Sequence, residues 1–206
     1  MIFIRKIFEF YFKYYGFYSL QIKSFTPIFN VNHQEIERQF SFKILTSADL
    51  GYLEQTAIAP NYVSSYSNRL NADSGFLCFA LIDIKNNQLA YYSWINSNNS
   101  YLVKEINQIF DFKSINSVLL EGDYTFETYR GKGLHTYMMQ KRLEYCFQNK
   151  IEQAFIAIHL RNNVALRVIG KFGFKQKNLI PFYYRSGTAT YTIKKITKRI
   201  HGIFRD

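Results

Sequence analysis

The residues that could do chemistry in this chain concentrate in one stretch. The run Asn116–Phe126 leads into Tyr129-Arg130-Gly131-Lys132-Gly133-Leu134-His135, and an apolar-periodic segment continues to Gln148. The pattern predicts a strand, a short glycine loop and a helix spanning Gly131–Gln148. Such a turn aims several backbone N–H groups into one concavity at the positive end of a helix dipole, a setting that suits a pyrophosphate. Gly131 and Gly133 let a ligand approach the backbone closely. Glu121, Asp123 and Thr125 alternate along the strand, so all three are expected on one side of it. Either carboxylate could take a proton from a reacting group. His159, on a later buried strand, has an ordinary pKa in the range that proton transfer uses. Two other phosphate-binding patterns fail: no Gly-Lys-Ser/Thr closes the glycine loop, and no Gly-x-Gly-x-x-Gly follows the first strand.

The elements that must position these groups follow from periodicity and punctuation. Residues 2–15 fit an amphipathic helix, with Arg5, Glu9 and Lys13 on one stripe and Gly16 as C-cap. Its wide apolar arc needs cover, and packing against its own protein is the expectation. Tyr18, Leu20 and Ile22 alternate as a strand, and Pro27 and the polar run Asn32–Gln39 separate it from the next, Phe40–Ile44. Helices are expected over Ala48–Ala57 and Asn61–Leu70, then a hairpin of Phe76–Ile84 and Leu89–Ile95 turned at Asn86-Asn87. Asn96–Ser100 reads as a loop, and Tyr101–Phe112 is open between helix and irregular strand. A buried strand (Ala154–Leu160), a helix (Asn163–Phe172) and a closing hairpin (Phe182–Tyr184 with Thr188–Ile193) complete the order. Strands with helices in their connections imply an α/β layer fold with a mixed sheet. The expected organisation is an extension over 1–39, one domain over 40–193 and a basic tail over 194–206.

At 206 residues and 48% hydrophobic, the chain can bury a sizeable core. Two cysteines, Cys78 and Cys146, supply neither a disulfide framework nor a four-ligand zinc site, and both read as small core residues. No apolar stretch near the N-terminus reaches the roughly 20 residues of a membrane span, and no export signal is evident. The expectation is a cytoplasmic protein without membrane association. A net charge of +11 favours an anionic partner, yet no spacing supports base recognition in nucleic acid.

Arg130-Gly131-Lys132-Gly133-Leu134-His135 resembles the acyl-CoA-binding segment of the GCN5-related N-acetyltransferases (the GNAT superfamily), Arg/Gln-x-x-Gly-x-Gly/Ala after the fourth strand. His135 departs from it at the last position. Downstream, Asn162, Ala165, Gly173 and Phe174 match the family's spacing. The resemblance covers about 40–190 and implies the family's splayed mixed sheet flanked by helices. It implies that backbone amides of Arg130, Gly131, Lys132, Gly133, Leu134 and His135 hold the CoA pyrophosphate, with the His135 side chain near the phosphates. Lys132, Arg167 and Lys171 would be neighbours of those phosphates. Asn162 would bond the pantetheine arm, and Thr125 and Phe126 would offer main-chain groups to pantetheine and to the thioester carbonyl. Glu121 is the first candidate for the base, ahead of Asp123 and His159. The family's thiolate-protonating Tyr corresponds to Ile169, which cannot donate. Tyr124 could, but parity points it away from Glu121.

The implied activity is acyl transfer, with acetyl-CoA as donor cosubstrate, to a small amine. An amino sugar would suit a lining of Tyr62, Tyr66, Trp94, Tyr101, Phe182, Tyr183 and Tyr184. No metal is implied, and a homodimer is compatible. Alternatives are an acyl carrier protein as donor, whose acidic surface would suit a basic enzyme, and a CoA-binding regulatory module that has lost catalysis.

Overall fold

The computed structural model describes residues 12–27, 33–54, 66–98, 100–103, 108–111, 116–184 and 190–192. Ten strands occur among them: β1 (Phe12–Gln21), β2 (Phe40–Leu45), β3 (Phe76–Asp83), β4 (Gln88–Asn96), β5 (Ser100–Val103), β6 (Gln108–Asp111), β7 (Ser117–Thr125), β8 (Gln153–His159), β9 (Lys175–Tyr184) and β10 (Thr190–Thr192). The α-helices are α1 (His33–Gln39), α2 (Leu50–Glu54), α3 (Leu134–Gln148) and α4 (Asn163–Lys171), with a helical turn at 66–70. Eight strands form one sheet in the order β10-β9-β1-β8-β7-β4-β3-β2, and β5 and β6 form a separate ribbon. The mixed sheet flanked by helices is the architecture the sequence implied.

The ladder that matters most joins β7 and β8. They run parallel from Ser117↔Gln153 to Leu120↔Ile156 and then part. Beyond that point β7 stays with β4 as far as Thr125, and β8 stays with β1 as far as His159. The two halves of the sheet therefore splay open between Glu121 and Ala157.

Side chains alternate between two apolar clusters, as a sheet covered on both faces requires. On β3, Phe79 and Leu81 join the larger cluster, with Ile36 of α1, Leu134, Met138 and Leu143 of α3 and Val168 of α4. Cys78, Ala80 and Ile82 join the smaller one, with Leu53 of α2 and Leu70. Both cysteines are buried and free; burial pushes the Cys146 thiol up to about 12, so it behaves as a small apolar group.

The N-terminal expectation needs correction. Residues 12–15 are strand and not the end of a helix, and Gly16 lies inside β1, where an added Cβ would meet the Tyr18 ring at 2.5 Å. Residues 2–11 of the expected helix lie outside the described residues. Nor is β1 part of an appended extension, because it pairs with β8 on one side and β9 on the other. Phe17, Tyr18, Ser19 and Leu20 are all buried, and Phe17 stacks on Phe155 with ring centroids 5.2 Å apart. A slot with ladder partners on both edges overrides local helical spacing, and an aromatic-rich segment fits it well. The boundary at 39 thus cuts through one sheet; the tail 194–206 lies outside the described residues.

Smaller differences follow the same logic. Part of the polar run 32–39 is α1, which buries Ile36 alone. Residues 47–54 form a 3₁₀ turn and α2 behind a Thr46–Asp49 capping box. The ambiguous 101–112 region contains the β5–β6 ribbon.

Candidate active site

β7 does not keep its alternation. Tyr92 pairs with Tyr124 and Trp94 with Glu121, so Ser93 alone stands opposite both Gly122 and Asp123. This is a β-bulge, and Gly122 makes it possible. Its φ is +64°, and a Cβ there would lie 2.7 Å from the Trp94 ring. The extra residue turns Asp123 to the opposite face from Glu121, because directly paired residues share a face. Glu121 and Tyr124 lie with Trp94 and Tyr92, whereas Asp123 lies with Tyr91. The expectation of one shared side for Glu121 and Asp123 fails for this reason. So does the argument that set Tyr124 apart from Glu121.

Asp123 sits beneath the glycine loop in a buried polar cluster. Arg142, from the middle of α3, is fully enclosed and donates through Nη2 to Asp123 and through Nη1 to the Trp94 carbonyl at 3.4 Å. The Tyr91 hydroxyl also donates to Asp123, and burial raises that phenol well above its ordinary value. His135 completes the cluster, with Nδ1 3.2 Å from the Tyr91 hydroxyl and 3.6 Å from Asp123 Oδ1. Asp123 is thus committed to a fully enclosed guanidinium and a buried phenol. The His135 side chain turns onto Asp123 and Tyr91.

Burial lowers the His135 pKa, ahead of the opposing pull of Asp123. A stability prediction follows. Between the lowered folded value and the unfolded value of about 6.5, only the unfolded chain gains this proton. Stability from this group is therefore complete above about 6.5 and is lost as pH falls through that window. Urea unfolding at pH 7.5 and 5.5 should show a smaller loss in His135→Asn than in wild type. Parallel losses would sink the assignment.

Glu121 belongs to the other face. Its Oε1 lies 3.0 Å from Arg69 Nη1, and the Arg69 guanidinium rests over Phe76 and Trp94. Tyr66 stacks on Trp94 and its hydroxyl lies 2.9 Å from that of Tyr92. Tyr124 is partly exposed beside Tyr92 and Phe126.

The loop forms the mouth of the same cleft on the Asp123 side. Gly131 and Gly133 have φ of +81° and +78°, and an added Cβ on either would meet nothing within 4 Å. Gly133 is the N-cap of α3 and no side chain caps the helix, so the first-turn amides have no capping partner. Leu134 is buried and anchors the turn. Arg130 donates from Nε to the Thr125 carbonyl at 3.2 Å and from Nη1 to Glu127 at 3.1 Å. Lys132 stands over the Phe40 and Tyr129 rings.

Phe126 is a correction: its N–H donates to the Ala90 carbonyl at 3.1 Å, so it is not free for a thioester. Asn162 caps α4, with Oδ1 accepting from the Ala165 N–H at 3.1 Å, which leaves its amide nitrogen for a ligand. The His159 Nδ1 accepts from the Arg161 N–H at 3.0 Å. Arg167 is exposed and bonds the Asn163 carbonyl through Nε; Lys171 is exposed on the same helix. Of the expected aromatic lining, Tyr66 and Trp94 are on the cleft wall. Tyr62 lies outside the described residues, and the side chains of Tyr101, Phe182, Tyr183 and Tyr184 are not described.

A single open cleft of about 1100 Å³ connects these groups. Its wall includes Gly131, Gly133 and His135 at one end, the splayed edges of β7 and β8 in the middle, and Arg69, Glu121 and Trp94 at the other. Asn162, Val168 and His159 close the β8 side. Ile169 is buried in the core. Sequence reasoning missed Arg69, Tyr91 and Arg142. For Arg142 a signal existed, since it occupies the apolar stripe of α3 four residues from both Met138 and Cys146.

The sequence pattern of the Acetyltransferase (GNAT) family matches residues 69–174. The chain belongs to this family. Likeness to solved GNAT structures extends over the fold. One is the glucosamine N-acetyltransferase region of a fungal multi-domain GH3 β-N-acetylglucosaminidase: 10% identity, 82% of this chain and 20% of that one, TM-score 0.59. Another is a tandem GNAT protein from the clavulanic acid biosynthesis pathway, with 12% identity, 86% and 55% coverage and TM-score 0.56. The spermidine/spermine N-acetyltransferase SpeG from Vibrio cholerae has 13% identity, 75% and 89% coverage and TM-score 0.54. The chain thus spans a fifth of the first of these proteins and about half of the second. No curated protein matches it in sequence.

Proposed function

We propose that this GNAT protein is an acetyl-CoA-dependent N-acetyltransferase that transfers the acetyl group directly to a small amine, an amino sugar being one candidate. The observation that carries the reading is the continuity of the cleft. An uncapped helix N-terminus with two open glycines lies at one end, a carboxylate among aromatic rings lies at the other, and the strand splay joins them. In this reading the amides of 131–135 hold the pyrophosphate. Pantetheine runs along the open edge of β7 past Asn162, and the thioester reaches the Gly122–Asp123 bulge. A bulge takes one residue of the longer strand out of the ladder, and a main-chain donor released there can stabilise a developing oxyanion. Glu121 takes the proton from the acceptor nitrogen, directly or through water. With position 169 apolar and buried, Tyr124, on the same face of β7 as Glu121, is the hydroxyl that would protonate the departing thiolate.

Release of free thiol from acetyl-CoA over a panel of amines tests this, together with mass spectrometry of the acetylated product. Glu121→Gln should lower kcat by about 10²–10⁴-fold while leaving CoA affinity within a few-fold, since it removes a proton acceptor and keeps the shape. Near-normal turnover of this variant at every pH would move the base to His159.

A further inference from the structure

We propose that the acceptor carries an anionic group, a carboxylate or a phosphate monoester, beside its amine, and that Arg69 binds that anion. The inference rests on the acyl-transfer reading of the same cleft. Arg69 is a built feature of the wall. Its guanidinium lies 4.6 Å from the Phe76 ring centroid and 5.5 Å from that of Trp94. The backbone beneath it is pinned, because Ser74 Oγ donates to the Arg69 carbonyl at 2.6 Å and Asn98 Nδ2 donates to the Ser74 carbonyl at 2.9 Å.

The ion pair with Glu121 is lopsided. The Arg69 side chain is 25% exposed and that of Glu121 14%, so the cation is the more open member. A guanidinium has five donors in a fixed fork, and Nη1 lies 3.0 Å from Glu121 Oε1. The remaining edge suits the two oxygens of a carboxylate or phosphate.

Charge balance along the cleft points the same way. The described wall contains two carboxylates, Glu121 and Asp123. Each is matched by a guanidinium, Glu121 by Arg69 and Asp123 by the buried Arg142. An acceptor with several ammonium groups would find no further carboxylate on the described wall. An acceptor with one ammonium and one anion fits the pair as it stands, the ammonium sharing Glu121 and the anion taking Arg69.

The test uses the full-length protein, acetyl-CoA and matched pairs of amines. One arm compares free α-amino acids with their carboxamides, and a second compares aminohexose phosphate monoesters with the unphosphorylated sugars. A third arm uses linear polyamines. In at least one pair the anionic member should have kcat/KM on the order of 10²-fold higher, the scale of a charge-assisted hydrogen bond, and the arm in which this occurs identifies the anion. Arg69→Gln should shrink that ratio below about 10-fold, mainly through KM, and Arg69→Lys should restore part of it. Thermal melting of both variants controls for folding. Equal or better turnover of the neutral members or the polyamines overturns the proposal, as does an unchanged ratio in Arg69→Gln or no turnover of any anionic member. Thermal stabilisation by CoA reports separately on the acyl-CoA reading: if CoA gives none, that reading fails first.

Discussion

Gly133→Glu is expected to abolish stabilisation of the protein by CoA. A ligand that binds only the native state at 100 times its Kd adds about 2.7 kcal/mol. For a domain of this size that is on the order of 5–10 °C in melting temperature. The variant loses this increment for two reasons. The side chain fills the open space in front of the α3 amides, and its charge repels the phosphates from the place where the helix dipole would attract them. The substitution also forces a Cβ onto a φ of +78°, a cost of roughly 1–2 kcal/mol. The readout is therefore the difference between melts with and without CoA, not the melt itself. Gly133→Ala carries the same backbone strain without the bulk or charge. Its Cβ meets no atom within 4 Å, so it should keep most of the CoA response. Gly131→Glu should behave like Gly133→Glu. An undiminished response in both glutamate variants would take the phosphate site away from this loop.

Asp123→Ala should be the most destabilising single change in the site. It strips the carboxylate from Arg142, whose side chain is wholly enclosed, and the hydroxyl of Tyr91 loses its acceptor as well. The other contacts of the guanidinium, the Trp94 carbonyl at 3.4 Å and the Met139 sulfur at 3.8 Å, are weak. Breaking a buried pair by removing one partner costs about 3–5 kcal/mol, because the other charge stays buried without compensation. The melting temperature should fall on the order of 10 °C. The double variant Asp123→Leu with Arg142→Met should recover most of the loss, since replacing both charges with apolar groups removes the uncompensated ion. Urea titration of the three proteins makes the comparison. An Asp123→Ala protein as stable as wild type but inactive would return Asp123 to the role of base.

The division between sequence and structure falls at Gly122. Residue type and local spacing were enough for the glycine-loop half of the cleft. Arg130-Gly131-Lys132-Gly133 before an apolar-periodic segment encodes a positive-φ turn and a helix N-terminus, and both are local features that need no distant partner. Asn162 was singled out through the family resemblance, and the structure shows it to be the N-cap of α4. The strands at 76–84, 89–95, 116–126 and 154–160 were legible because short apolar runs bounded by turn residues are a local signal too.

The Glu121 half of the cleft was decided by long-range pairing. Alternation along Glu121, Asp123 and Thr125 put the carboxylates together on paper. One extra residue opposite Ser93 put them on opposite faces, and a bulge depends on which strand lies alongside. Arg69 and Arg142 reach the carboxylates from elements 52 and 19 residues away in sequence, distances at which spacing carries no information about contact. β1 shows the same limit. Its first residues, 12–15, read as the end of a helical stripe, but β8 and β9 offer ladder partners on its two sides, and that offer exists only in the folded chain.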